Sequence, residues 1–310
     1  MKNKNFIVAC LFTSFLGAIL WGTSLTGLCQ QKQEDDKFIA EEMAWRAERD
    51  KGMKSPTSWL TIAGLFWLEE GENTFGASAE NKIKLPKESA PEFAGKFIFE
   101  NGEITVIANP GVELIIRDTV INQKLLEADD TGNPDIIYLN DLRMWIIKRD
   151  ERFGVRLRDL NAPAFKNYKG LDFFPPSRKF KIEADFIPYE AQKKVQVDTM
   201  IKTKTELDSP GYIKFNIDDK EFSLEAFQGG NEKSLFIIFK DETNGNETYE
   251  ASRFLSCKIM DNGKVDLNFN RAYNPPCAYT PYATCPLPPP QNYLNARIEA
   301  GERKYPKSIH

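Results

Sequence analysis

The stretch from Asp266 to Glu302, DLNFNRAYNPPCAYTPYATCPLPPPQNYLNARIEAGE, constrains this chain more than any other. Seven prolines stand in it: Pro275, Pro276, Pro281, Pro286, Pro288, Pro289 and Pro290. Each fixes its own φ and removes a backbone donor, so no helix or central strand can run through. Proline-rich linkers that stay disordered are polar and poor in aromatics. This one carries Tyr273, Tyr279, Tyr282 and Tyr293 with Cys277 and Cys285. A stiff, aromatic segment of this kind predicts an ordered loop packed on a body, and long ordered loops are often functional.

The body is expected to be mainly β, in two parts. Short runs of branched and aromatic residues recur at 82–85, 96–100, 103–108, 113–118, 136–139 and 142–149. Asn101-Gly102, Asn109-Pro110-Gly111 and Gly132-Asn133-Pro134 separate them, as in a sandwich or barrel. After residue 151 strands are expected at 179–187, 194–203, 211–217, 220–226, 234–240 and 264–269. LFIIF (Leu235 to Phe239) is apolar throughout and should be buried on both faces. DETNGNETY (Asp241 to Tyr249) reads as a tight hairpin with Asn244-Gly245 at its tip. The expected division is an export segment over 1–29, a docking helix over 34–52, a β-sandwich-like part over 53–150 and a second β part with the proline-rich loop over 151–305. The helix should bury Phe38, Ile39, Ala40, Met43, Ala44 and Ala47 and stop at Gly52.

The amino terminus reads as export. Lys2 and Lys4 precede an apolar run from Phe6 to Leu28, and Cys29 closes it before QQKQEDDK. A lipidated Cys29, a cleaved signal and an uncleaved anchor all fit, and all place the rest of the chain outside the cytoplasm. An oxidising compartment makes Cys277–Cys285 the natural disulfide and leaves Cys257, in the apolar run FLSCKIM, as a buried free thiol.

Composition excludes several functions. The only histidine is the last residue, His310, so histidine-based catalysis and histidine-ligated zinc are not expected. A net charge of −4 argues against nucleic acid as a partner. No motif calls for a cofactor or a metal. Membrane contact is expected only through the amino-terminal anchor.

FNRAYNPPCAYTPYATCPLPPPQNYL (Phe269 to Leu294) with the following IEAGE resembles the carboxy-terminal signature of an uncharacterised family, domain of unknown function 1684. SWLTIAGLFWLEEG (Ser58 to Gly71), GVRLRD (Gly154 to Asp159), FKNYKGLDFFP (Phe165 to Pro175) and LFIIFKDETNGNETYEASRFL (Leu235 to Leu255) also resemble it, so the likeness extends roughly from Trp45 to Tyr305. NTFGASAENKIKLP (Asn73 to Pro86), IRDTVINQ (Ile116 to Gln123) and LNDLRMWIIKR (Leu139 to Arg149) resemble a forkhead-associated β-sandwich. That family's phosphothreonine-binding residues do not carry over: Ala77 stands where its arginine would, and no Ser-x-x-His follows.

The candidate site residues come from the matching pieces. Glu225, Asp241 and Glu302 are the candidate acids or bases. Arg253, Arg271, Tyr273, Asn274, Tyr279 and Tyr282 are the candidate ligand contacts, with Thr243, Tyr249 and Asn270 beside them. In one reading the two arginines share a tyrosine-walled pocket for an anion. In the other Arg271 pairs with Asp241 or Asp266 and pins the proline-rich loop to the body. Arg156 and Arg158, alternating with Val155 and Leu157, either face solvent or contact an anion. The tyrosines could also form a groove for a sugar or peptide. The function expected is an exported envelope protein binding a small anionic or carbohydrate-like ligand or a cell-wall component. A histidine-free, carboxylate-driven hydrolase or isomerase and an envelope scaffold are the alternatives.

Overall fold

The computed structural model describes the backbone of residues 13–306 and the side chains of 30–306. Lys2, Lys4, Phe6, Cys10 and His310 lie outside the described residues, as does the side chain of Cys29. The export and lipidation expectations therefore rest on sequence alone. The chain divides into two units, residues 1–48 and 49–310.

Helix α1 (Thr13–Met53) holds the described residues of the first unit and ends in the second. It starts well before the expected 34 and runs one residue past Gly52. Its buried stripe is also rotated from the expected one. Phe38 and Glu42 are buried, whereas Ile39 and Met43 are 40% and 52% exposed. The i, i+4 spacing of Phe38 and Glu42 sets that stripe, with Glu42 lying close enough to act on the charge of Arg46. Among the described residues no helix is long and apolar enough to cross a membrane.

The second unit is mainly β and has two parts, as expected. Its first part holds β1 (Ile62–Trp67), β2 (Gly71–Gly76), β3 (Ile83–Lys84), β4 (Gly95–Glu100), β5 (Glu103–Ala108), β6 (Leu114–Ile116), β7 (Thr119–Ile121), β8 (Gln123–Leu125), β9 (Ile137–Leu139), β10 (Leu142–Arg149) and β11 (Arg152–Asp159). They form a six-stranded sheet in the order β1-β11-β10-β9-β6-β7 and a five-stranded sheet in the order β3-β2-β4-β5-β8. Alternate residues of each face the other: Phe75, Phe97 and Val106 from one sheet meet Leu114, Met144 and Val155 from the other in one core. Asn101-Gly102, both at positive φ, makes the β4–β5 turn that the sequence called for. Strand β11 pairs with both β1 and β10, so the sandwich extends beyond the expected boundary at 150.

The second part is a closed six-stranded barrel of β12 (Lys181–Asp198), β13 (Lys204–Ile217), β14 (Lys220–Gln228), β15 (Ser234–Phe239), β16 (Arg253–Ile259) and β17 (Lys264–Asn268). The two strands expected at 179–187 and 194–203 are one. Pro188 sits at a break in the β12–β13 register, where the ladder does not need its missing donor. Asp218 and Asp219, both at positive φ, turn β13 into β14. The interior is filled rather than open: Ile213, Phe215, Leu224, Ile237, Leu255 and Val265 meet Phe269, Leu294, Ile298 and Ala300 from the carboxy-terminal segment. Residues 241–249 form a tight loop with a single Asn244–Thr248 bridge instead of a two-stranded hairpin.

LFIIF is covered on both sides. Leu235, Ile237 and Phe239 point into the barrel, and Phe236 and Ile238 point into a second apolar layer outside it. The proline-rich loop builds that layer, with Cys277, Ala278, Tyr279, Ala283 and Cys285 packing on Phe227, Phe254, Leu60 and Met53. Leu287 N–H donates to Asp198 O at 2.7 Å, Met200 N–H to Cys285 O at 2.9 Å and Thr280 Oγ1 to Ile62 O at 3.2 Å. The loop is thus tied to both the barrel and the sandwich.

Candidate functional site

The predicted site residues fall into separate places. Arg253 opens β16 and is wholly buried. It pairs with Asp241 and donates to the carbonyls of Ala300 at 2.6 Å and Ile298 at 2.9 Å, its guanidinium 4.9 Å from the Phe239 ring centroid. Asp241 in turn accepts from Thr243 N–H at 2.8 Å, and Thr243 shares a 2.9 Å hydrogen bond with Thr248. Burial presses down on the Arg253 charge and Asp241 opposes it. This cluster fastens residues 298–300 over the barrel end.

Glu302 is a second knot. Gly301 before it has φ +82°, and a Cβ there would strike the Ala272 carbonyl, so the backbone approach demands glycine. Glu302 is fully buried and accepts from Arg49 Nε at 2.7 Å, Asn274 N–H at 2.8 Å and the Tyr279 hydroxyl at 2.8 Å. Burial opposes the Arg49 charge, but Glu302 beside it prevails and holds Arg49 above the usual arginine range. Burial first, and the Glu302 charge second, push the Tyr279 phenol well above its ordinary value. Tyr273 lies under Arg49, 4.9 Å from centroid to guanidinium.

Glu225 is the third. It accepts from Ser209 Oγ at 2.5 Å and Tyr189 Oη at 2.9 Å, while Asn292 of the loop bonds the Glu225 backbone in both directions. Asn270 ties Ser177 to Asn268, and Tyr249 donates to Cys277 O at 3.3 Å.

The shared pocket of Arg253 and Arg271 is not formed. Arg271 is half-buried and lines a different hollow of about 620 Å³ with Asp266, Asn268 and Lys258. Nor do the tyrosines make one groove: Tyr279 is spent on Glu302, Tyr273 stacks under Arg49, and Tyr282 and Tyr293 are exposed. Cys277 and Cys285 are neighbours, Cys277 N–H lying 3.3 Å from Cys285 Sγ, but both are thiols here. The Cys285 thiol hydrogen-bonds Cys277 and lowers its pKa, and burial raises that of Cys285 well above the ordinary value. Cys257 is the buried free thiol expected.

What the structure does bring together is a cleft of about 320 Å³ between sandwich, barrel and loop. Arg149 at the end of β10 and Arg156 in the middle of β11 enter it from the sandwich. Thr199, Thr203 and Lys204 enter from the barrel, and Thr284 and Cys285 from the loop. Arg149 is paired with Asp129 at 2.9 Å and donates to Thr284 Oγ1 at 3.3 Å. Arg156 Nη2 donates to the same hydroxyl at 3.4 Å, and its guanidinium lies 5.7 Å from the Trp59 ring centroid. Arg156 is 4% exposed, and its Nε–H meets no acceptor. Burial, then the neighbouring Arg149 charge, lowers its pKa to about 10, with Asp129 opposing. It is therefore still charged at neutral pH.

The solvent-face reading is overturned for Arg156, which barrel and loop cover, while Arg158 stays partly exposed. Arg158 is used up locally, donating to Ser58 O at 2.7 Å and Thr61 Oγ1 at 2.9 Å. Sequence reasoning did not find Arg149, Thr284, Trp59 or Lys204. The only signal was the Arg-x-Arg alternation on an otherwise apolar strand.

No curated protein matches the chain. Among solved structures, the solution structure of an uncharacterized protein from Haloarcula marismortui is 29% identical. The match covers 44% of this chain and 78% of that one, with a TM-score of 0.37. The FHA-2 domain of a Mycobacterium tuberculosis ABC transporter is 16% identical over 29% of this chain and 77% of its own, with a TM-score of 0.23. The family match does not reach the sandwich pieces SWLTIAGLFWLEEG and GVRLRD. Over residues 166–303, which hold the barrel and its proline-rich closure, the chain matches the family described as protein of unknown function (DUF1684).

Proposed function

We propose that this protein binds a small anionic ligand in the cleft between sandwich and barrel. One observation carries the reading: Arg156, a buried cation with an unsatisfied N–H, opens onto a cavity and has no carboxylate of its own. An uncompensated buried charge costs several kcal/mol, and an anion in the cleft removes that cost. Lys204 adds positive charge at the same place, Arg149 is already paired with Asp129, and the Thr284 hydroxyl accepts from the guanidinium groups of both Arg149 and Arg156. None of Glu225, Asp241 and Glu302 lines this cleft, and its one carboxylate, Asp150, stands without the second that paired acid–base chemistry needs, so binding is favoured over carboxylate-driven catalysis.

We place this cleft outside the cytoplasm, on the strength of Lys2, Lys4, the apolar run and Cys29. In an oxidising compartment the neighbouring Cys277 and Cys285 close a disulfide under the cleft. Intact mass with and without reductant reads both the processed amino terminus and the bond.

The test of binding is thermal unfolding in citrate and in phosphate against potassium chloride of equal ionic strength. At about 100 times its Kd an anion contributes about 2.7 kcal/mol, a rise of about 5 °C or more for a chain of this size. The Arg156→Met variant should lose that rise. Equal melting of the native protein in all three salts would sink the reading.

A further inference from the structure

We infer that the anion taken by this cleft carries an apolar body: a short aliphatic or aromatic carboxylate or phosphate monoester, as opposed to an inorganic ion or a sugar. The inference rests on the anion reading above and names its ligand class. The cleft has two unlike ends. Arg149, Arg156 and Lys204 supply the cationic one, with Asp150 and the threonines beside them, and Trp59, Ile201, Leu207, Phe254, Pro276 and Pro286 supply the apolar wall. Pockets for small organic molecules begin at roughly 300 Å³ and are mostly apolar with a few placed polar groups, and a 320 Å³ cleft fits that description. An inorganic anion on Arg156 would leave water against the indole and phenyl walls. An organic anion displaces it.

A sugar would need a ring of free hydrogen-bonding groups around its hydroxyls. The cleft does not offer one: Thr199 and Thr203 are bonded to each other at 2.9 Å and Thr284 is held by both arginines, which leaves Thr205 and Asp150 as isolated polar groups in place of a ring. The guanidinium fork can take two oxygens of one head group, which orients the tail toward Trp59 and Phe254.

Calorimetric titration of the full chain with acetate, butyrate and hexanoate at constant ionic strength tests the class, with inorganic phosphate and 1-hexanol as probes of each end alone. Burial of each methylene predicts affinity rising roughly four-fold per carbon. Hexanoate should exceed both phosphate and hexanol by at least ten-fold. Arg156→Met should bring hexanoate down to the level of hexanol. Ile201→Asn, on the half-buried apolar wall, should flatten the chain-length dependence. Acetate and hexanoate binding within two-fold of each other would overturn the apolar class while leaving the anion site standing. Hexanol binding as tightly as hexanoate would overturn the anion reading itself, and no binding by any of the acids or by phosphate would overturn both.

Discussion

Two buried arginines, one at each side of the proline-rich loop, show how differently the same side chain is used. Arg253 has an acid and two backbone carbonyls, and every group around it belongs to the protein. Arg156 has one shared hydroxyl, no acid and an open cleft, and the Nε–H of each of the two arginines meets no acceptor. Burial depth does not separate them, since both are nearly or fully inaccessible. What separates them is whether the charge is compensated from within. A compensated arginine is part of the fold. An uncompensated one beside a cavity is where a ligand belongs.

The comparison breaks most easily at Arg253. Arg253→Met strands the Asp241 carboxylate in the interior together with two freed carbonyls, and should cost about 3–5 kcal/mol in denaturant unfolding. A loss under about 1 kcal/mol would mean that the pair is not structural. Glu302→Gln comes next. The amide keeps some hydrogen bonds to Asn274 and Tyr279 but leaves Arg49 without its counter-charge, for an expected loss of about 2–3 kcal/mol by the same measurement. If Glu302→Gln abolished anion binding while the fold held, the division of labour drawn here would fail.

A third, smaller effect concerns a pair at the surface of the same unit. Asp50 accepts from Lys54 at 2.5 Å and from the Tyr168 hydroxyl at 2.6 Å. Partial burial works against its charge, but these bonds prevail and hold its pKa below the ordinary carboxylate value. A depressed folded pKa gives stability that is present above the unfolded value and lost as pH falls through the folded one. Asp50→Asn should therefore cost about 0.5–1 kcal/mol at neutral pH, and the gap from the native protein should close as the pH falls through the lowered folded pKa. A gap that persists in acid would assign the effect to packing.

The parts of this molecule that the sequence made legible are those whose signals are local. Strands 103–108 and 142–149 follow from alternation and from Asn101-Gly102, and LFIIF from an unbroken apolar run. Local signals also misled. Pro188 marks a strand end in sequence but sits at a bulge inside a long strand, because the barrel supplies the continuation. The apolar residues of 34–52 suggested one face of the helix, whereas Phe38 and Glu42 form the buried one. Arg253 and Asp241 were legible as important residues, and the pinning alternative named the right kind of contact for Asp241, which Arg253 makes. The cleft was hardly legible. Its walls come from Trp59, Arg156, Thr199 to Leu207 and Thr284, segments whose meeting depends on how sandwich and barrel pack. No periodicity within β11 says that a barrel will cover its arginines.

Arg156→Met therefore carries the comparison, and its expected effect on stability is the smallest of the four. The substitution removes a charge that has lost most of its water and found no acid. It replaces that charge with an unbranched apolar chain of comparable reach, in a wall already formed by Trp59 and Phe254. The lost hydrogen bond to Thr284, at 3.4 Å, is long, and Arg149 still occupies that hydroxyl. Replacing uncompensated buried charge with apolar volume is often neutral or stabilising. Unfolding free energy in chloride should thus stay within about 1 kcal/mol of the native protein, while the stabilisation by organic anions disappears. A loss comparable to that of Arg253→Met would place Arg156 among the structural arginines and leave the cleft without its reason to bind an anion.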